Sequence, residues 1–362
     1  MVINLPNELM SKIGDERVKQ IIKFLFCYFE SGKHEWFIDD KDDLTLFETT
    51  ALESYRDYIT KQVVQNTLYK SKQHEDKTIV QVYSSVEELN TLIESQIGTI
   101  SGVQVFKYLN GHRYTVILNG IRYELITIDT VWDFLGQPLK IVLENVESDR
   151  LFIEKCLELL GESRSNKLWI EFVHGGGSDL SKVAQSINGK HRTICIIDSD
   201  IISPPSTYNT PSKERYINKI KRICESHGYI LHILNKREME NYLPDKALEE
   251  YLEQENRILE HVYFSFPDQC KDYFDMKKGL TLRNCKLPIW CDLNIQGTEE
   301  VAATVSGKSS IVDGFGEQVW KAFHYVKSPA ELLSRDDKNE LKELTKKLFN
   351  LPKFTLYISI TI

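Results

Sequence analysis

Thr193-Ile194-Cys195-Ile196-Ile197-Asp198-Ser199-Asp200 is the stretch on which the fold of this chain turns. Thr193 to Ile197 is a near-continuous apolar run of strand length, the pattern of a strand buried on both faces in a parallel sheet. It ends abruptly in two aspartates separated by one residue. Short apolar runs and helical patterns alternate on either side of it. Upstream, Ile141-Val142-Leu143 reads as a strand, Ser148 as the cap of a helix through Leu160, and Leu168 to Val173 as a second strand. His174-Gly175-Gly176-Gly177 then reads as a tight turn before a helix opened by Ser178. Downstream, Pro204, Pro205 and Pro211 mark a loop, Lys213 to Ser226 a helix stopped by His227-Gly228, and Tyr229 to Leu234 a fourth strand. This alternation predicts an α/β fold with a mostly parallel, Rossmann-like sheet covered on both faces. Ligands of such sheets gather at the carboxyl ends of the strands. Three acidic residues fall there: Glu144 after the first strand, Asp198 and Asp200 after the third.

The flanking segments read differently. Residues 1–137 suggest an α+β module. Asp15 to Glu30 carries Val18, Ile21, Ile22, Leu25 and Phe26 at helical spacing, and a second helix is expected around Thr50 to Tyr69. Val103 to Leu109, Tyr114 to Leu118 and Ile121 to Ile128 are separated by Asn110-Gly111 and Asn119-Gly120, whose preference for positive φ predicts a three-stranded meander over 103–128. The acidic patch Asp39, Asp40, Asp42, Asp43 lacks the glycine and glutamate of a calcium loop and reads as a solvated turn. The sheet core is expected over 138–255, followed by a mainly helical extension over 256–362 that ends in a strand-like segment, Phe354 to Ile362.

Composition narrows the partners. The chain has 362 residues and a formal charge of −8, with a pI near 5.7. That balance argues against a protein that coats nucleic acid electrostatically, so contact with a polyanion has to be local or metal-bridged. The seven cysteines form no CxxC pair and read as reduced thiols of a cytoplasmic protein. No signal sequence or run of about 18 apolar residues suggests a membrane.

Two aspartates at one strand end and a glutamate at a neighbouring one form an oxygen-rich cup of the kind magnesium and manganese prefer. Two such ions can activate a water and steady the leaving oxygen of a phosphodiester. Downstream, Arg215, Lys219 and Arg222 lie at i, i+4 and i+7 of the expected helix, a basic stripe that is either a solvated face or a track for phosphates. His174 beside the glycine turn is a further candidate phosphate contact. A relaxed phosphate-loop pattern, Ala302 to Gly307-Lys308-Ser309, lacks the strand before it and the helix after it that cradle a nucleotide, and is set aside.

Leu143-Glu144, then Ser148-Asp149 opening a helix, the glycine turn, and Ile197-Asp198-Ser199-Asp200 follow the order of motifs in TOPRIM domains, which occur in topoisomerases, DnaG-type primases and OLD-family nucleases. The segment Arg237-Glu238-Met239-Glu240-Asn241-Tyr242-Leu243-Pro244 resembles one found in OLD-like nucleases and related phage-defence effectors. The chain departs from the family where Asn145 replaces the usual glycine after the glutamate and where the spacing to Ser148-Asp149 is one residue longer. The resemblance implies a TOPRIM core and a magnesium- or manganese-dependent endonuclease. Glu144, Asp198, Asp200, Asp149 and Glu240 would be metal ligands, and Glu144 and Asp198 catalytic. It also implies a late catalytic lysine, for which Lys278 is the choice and Lys236 the rival. DNA is the first expected substrate and tRNA or another RNA the second, in an anti-phage setting compatible with a homo-oligomer and with a separate ATPase subunit. A non-catalytic or ATP-regulated interaction protein on the same scaffold is the alternative.

Overall fold

The computed structural model describes residues 2–4, 13–31, 35–37, 50–64, 78–83, 86–108, 111–118, 121–127, 130, 136–161, 170–187, 192–204, 207–208, 211–227, 229–257, 261–281, 283–291, 293, 310–350, 355–357 and 359–361. They divide into two units: Met1–Pro138 with Lys167–Trp169 and Leu348–Ile362, and Leu139–Asn166 with Ile170–Lys347.

In the first unit, strand β1 (Val2–Asn4) precedes helix α1 (Glu16–Glu30). Asp15 caps α1 by accepting the N–H groups of Arg17 and Val18, and the expected stripe is buried, extended by Phe29. Strand β2 (Glu35–Phe37) pairs in parallel with β1. Helix α2 (Arg56–Val64) follows a 3-10 turn over Thr50–Tyr55; residues 65–69 of the helix expected there, the acidic patch at 39–43, and the Asn119-Gly120 turn lie outside the described residues. Strand β3 (Thr78–Tyr83), helix α3 (Val86–Leu92) and strands β4 (Gln104–Tyr108), β5 (Arg113–Leu118) and β6 (Ile121–Thr127) come next. β4, β5 and β6 form the predicted antiparallel meander. Tyr83, Leu89, Tyr114, Val116 and Leu125 pack into one core. On β5 and β6, Glu124 is fully buried and accepts from Arg113 Nε and Thr115 Oγ1, both at 3.0 Å.

The second unit carries the parallel sheet. Its strands are β7 (Leu139–Leu143), β8 (Ile170–His174), β9 (Thr193–Ile197) and, after a small antiparallel pair, β10 (Ile201–Ser203) with β11 (Thr207–Tyr208), the strand β12 (Ile230–Ile233). The order β12-β9-β7-β8 is parallel throughout. Every residue of β9 is buried, which is why its sequence is a continuous apolar run instead of an alternation. Helix α4 (Val146–Leu160) links β7 to β8, α5 (Leu180–Ser186) links β8 to β9, and α6 (Pro211–His227) links β9 to β12. Leu180, Ala184, Ile217, Ile220, Ile223 and Cys224 cover one face of the sheet against Val142, Cys195 and Ile197. α4 is capped by Asn145, not Ser148; Asn145 Oδ1 accepts the Glu147 N–H, so the helix begins three residues earlier than expected.

The sequence suggested a separate extension after residue 255, but residues 256–347 fall in the same unit as the sheet. Helix α7 (Asp245–Gln254) leads into an aromatic cluster in which Tyr263, Phe266, Phe274, Trp290 and Phe315 pack ring against ring. Phe323 of the 3-10 segment Val319–Tyr325 packs against Phe152 of α4 with the rings tilted and their centroids 5.3 Å apart. The antiparallel pair β13 (Gly279–Thr281) and β14 (Ser310–Asp313) lies here. Gly279 has φ +87°, and a Cβ there would come within 1.9 Å of the Val312 carbonyl oxygen, so only glycine fits. Helix α8 (Glu340–Asn350) follows. The chain then returns to the first unit, where β15 (Thr355–Tyr357) pairs with β1 and β16 (Ser359–Thr361) with β3, both in parallel. No helix among the described residues is long and apolar enough to cross a membrane.

Candidate active site

The strand order creates the site. β8 lies on the outer side of β7 and β12 on the outer side of β9, so the connections leaving β7 and β9 run in opposite directions and open a crevice at the carboxyl ends of β7 and β9, the place where parallel sheets bind ligands. Leu143 is in register with Ile196, which brings Glu144, just past β7, beside the end of β9 and its Asp198.

The loop after β8 pins the β7 end. Gly175 N–H donates to the Leu143 carbonyl at 2.7 Å and Gly177 N–H to the Glu144 carbonyl at 3.0 Å. A Cβ on Gly175 would lie 2.6 Å from the Leu143 carbonyl oxygen, so the approach requires glycine. Tyr216 of α6 donates its hydroxyl to the Gly177 carbonyl at 2.8 Å, and Val146 N–H donates to His174 Nδ1 at 3.3 Å. His174 is exposed and, in the tautomer that accepts this bond, tethers the start of α4.

After β9 the chain turns sharply. Asp200 sits in the left-handed region at φ 53° and donates its N–H to the Arg237 carbonyl at 2.9 Å, a conformation that aspartate tolerates better than most residues. Ser199 is fully buried and donates its hydroxyl to the Lys236 carbonyl at 2.6 Å. Asp198 Oδ1 accepts the Met239 N–H at 3.0 Å. The segment 237–243 is thereby stitched to the aspartates. It is itself fixed by Asn241, whose side-chain amide donates to the Lys271 and Phe274 carbonyls at 2.7 and 2.9 Å, and by Tyr242, whose hydroxyl donates to buried Glu340.

Six carboxylates converge: Glu144, Asp149, Asp198, Asp200, Glu238 and Glu240. Asp149 is buried, with Oδ1 accepting from the Ser148 hydroxyl at 2.6 Å and Oδ2 from the Asn145 N–H at 2.9 Å. Burial, reinforced by Asp149, Glu144, Glu240 and Glu238, raises the Asp198 carboxyl well above the usual range. Burial also raises Glu144 and Asp149, and with Glu240 and Asp275 it lifts Glu238 to about 8. Glu238 Oε2 is buried without a hydrogen-bond partner.

Two ammonium groups answer this charge. Lys213 Nζ lies 3.1 Å from Glu144 and 2.8 Å from Asp200, and Lys277 Nζ lies 3.0 Å from Glu240. Burial pulls both lysines down, but the carboxylates outweigh it and hold them above the ordinary lysine value. At an effective dielectric of about 20 one such pair at 4 Å is worth roughly 4 kcal/mol, and a like-charge pair costs as much, so these two lysines, with Arg237 at 3.4 Å from Glu238, only partly offset six carboxylates.

Several expected contributors stand elsewhere. Lys278 is exposed and its backbone N–H donates to Asp275; its neighbour Lys277 is the lysine that reaches the cluster. Lys236 is buried in an ion pair with Asp272, which also takes Arg335 at 2.8 Å. Arg215, Lys219 and Arg222 are exposed on α6 and line a shallow groove with Gln185, Asn218 and Ser226. The 302–309 pattern lies outside the described residues. Lys213, Lys277 and Glu238 belong to the site but were not singled out from the sequence. Lys277 adjoins Lys278, and Glu238 lies within the quoted segment 237–244, two residues before Glu240.

The donor set is all hard oxygen, with one buried oxygen unpartnered, and this suits magnesium or manganese in kind. As the side chains stand, with lysines between the carboxylates, no group of three His, Cys, Asp or Glu among the described residues forms a ready metal cage. Comparison with known proteins identifies no relative: no family model, no curated protein and no solved structure matches the chain.

A pH dependence follows from Glu238. Its folded value near 8 exceeds its ordinary 4.5, so the native state holds a proton that the unfolded chain has lost. Its contribution to stability is full below pH 4.5 and disappears as pH rises through 8. In chelator-treated protein, the stability of Glu238→Gln relative to wild type should therefore increase from pH 5 to pH 8.5, as read from urea unfolding midpoints. A difference that does not change with pH would show that Glu238 ionises normally.

Proposed function

We propose that this protein is a TOPRIM-type nuclease whose six-carboxylate crevice binds magnesium or manganese and hydrolyses phosphodiester bonds of DNA or, as second choice, of tRNA or another RNA. The observation that carries this reading is the position of Glu144 and Asp198 at the switch point of a parallel sheet, surrounded by more negative charge than the local lysines offset. The order of the motifs supports the TOPRIM identity, as does the 237–243 segment folded onto Asp198 by the Met239 amide.

In this reading Glu144, Asp198 and Asp200 hold the ions, with Asp149, Glu238 and Glu240 behind them. A divalent ion would supply charge neutralisation at the phosphate and a more acidic attacking water. The chain's own part is orientation and proton handling. The amides of Gly175, Gly177 and Met239 fix the strand ends and the Asp198 carboxylate, and Glu144, whose carboxyl burial raises above its ordinary value, is placed to take and return a proton. The exposed Arg215, Lys219 and Arg222 begin about half a turn beyond Lys213 on α6 and would track the backbone of the nucleic acid. A defence role against phage and a partner ATPase are consistent with the family resemblance.

One observation favours a non-catalytic scaffold instead: Lys213 and Lys277 already pair with three of the carboxylates. Cleavage decides between the two. Purified protein with magnesium or manganese should cut plasmid DNA or total tRNA, and Glu144→Ala and Asp198→Ala should each lower the rate by at least about 100-fold, since even groups behind metal ligands are worth 10 to 100-fold. Equal rates in all three proteins would remove the site assignment. Replacing Arg215, Lys219 and Arg222 together by alanine should weaken nucleic-acid binding and flatten its salt dependence by a slope of about 3, roughly one per phosphate contact; an unchanged slope would place the contacts elsewhere.

A further inference from the structure

Lys213 occupies an unusual position. It stands in the first turn of α6, and its ammonium bridges two carboxylates that come from different strand ends, Glu144 after β7 and Asp200 after β9. The side chain is 13% exposed, so the bridge is largely shielded from water. Its ammonium nitrogen lies over the Tyr216 ring, 5.0 Å from the centroid, and Tyr216 in turn holds the Gly177 carbonyl. The ammonium is therefore held from two sides, by the carboxylates and by the aromatic face.

We propose that Lys213 is an internal competitor for the cation site: its ammonium closes the Glu144–Asp200 pair, and a divalent ion gains these two carboxylates only by displacing it. This rests on the metal-site reading above and adds a positioning residue that sets how readily the site loads. The geometry gives the reason. A carboxylate oxygen that holds an ammonium at 2.8 or 3.1 Å is turned toward that ammonium, and an ion bound at about 2.1 Å from the same oxygens leaves no room for it. Metal affinity is then the difference between two cations competing for one pair of anions. Lys277 lacks this role toward Glu144 and Asp200, because its ion pair is with Glu240 on the far segment.

The test is Mn2+ binding, followed by electron paramagnetic resonance of the free ion on full-length wild type, Lys213→Met, Lys213→Arg and Asp198→Asn. Removal of the competing charge should tighten binding by about 10-fold in Lys213→Met. Lys213→Arg, which keeps a cation, should stay near wild type, a pattern that a merely structural role would not produce. Equal or weaker binding in Lys213→Met than in wild type overturns the proposal. If Lys213→Met does not fold, Lys213→Gln, which keeps a hydrogen-bonding group between the carboxylates, takes its place with the same expectation. Failure of the underlying reading has a different signature: binding that Asp198→Asn leaves intact, or none in wild type and Lys213 variants alike, removes the metal site and the proposal with it, whereas Asp198-dependent binding indifferent to Lys213 removes the proposal alone.

Discussion

Six carboxylates crowded at the end of a buried parallel sheet are the constraint around which the second unit is built. Such charge is tolerated only if it is paired, hydrogen-bonded, protonated or bound to a cation. All of the first three devices are visible. Lysines 213 and 277 pair with Glu144, Asp200 and Glu240. Backbone amides and a serine hydroxyl bond Asp149 and Asp198. Burial then drives Asp198, Glu144, Asp149 and Glu238 toward the protonated form. A structural role alone gives no reason to keep so costly an arrangement. A cation-binding role does, and the perturbed carboxyls sit in a crevice where ligands collect.

The supporting structure follows from holding this cluster still. Segment 235–243 is bound at several points, through Ser199 to the Lys236 carbonyl, through Asp200 to the Arg237 carbonyl, and through Asn241 to carbonyls of residues 271 and 274. Glu340 at the start of α8 accepts from the Asn235 amide at 3.0 Å and from Tyr242, and lies 3.1 Å from His232 Nε2. The last part of the second unit is thus tied to the strand end that precedes the segment. That dependence explains why residues 256–347 belong with the sheet.

Much of this was legible in the sequence. The apolar run of β9 and its terminal aspartates pointed to the parallel sheet and to two members of the carboxylate cluster, because a strand buried on both faces leaves a signal that few other structures share. The meander was equally plain from its Asn-Gly turns. The partners of the carboxylates were not legible. Lys277 and Lys278 are adjacent and chemically identical, and only the turn before Gly279 decides which one faces inward. Lys213 lies 69 residues from Glu144, and no local pattern links them. The cohesion of 256–347 with the sheet escaped for a similar reason: its helices are short, and its core is a cluster of scattered rings, Tyr263, Phe274, Trp290 and Phe315, without a helical or strand period.

The central claim is that the crevice between β7 and β9 is a divalent-cation site. The most direct measurement is a crystal structure of the wild-type protein grown with Mn2+, with diffraction collected to give the anomalous signal of manganese. The account predicts an anomalous peak about 2.1 Å from carboxylate oxygens of Asp198 and Glu144, with the Lys213 ammonium moved away from Glu144. Anomalous density confined to the protein surface, with the Lys213 bridge intact, would contradict it.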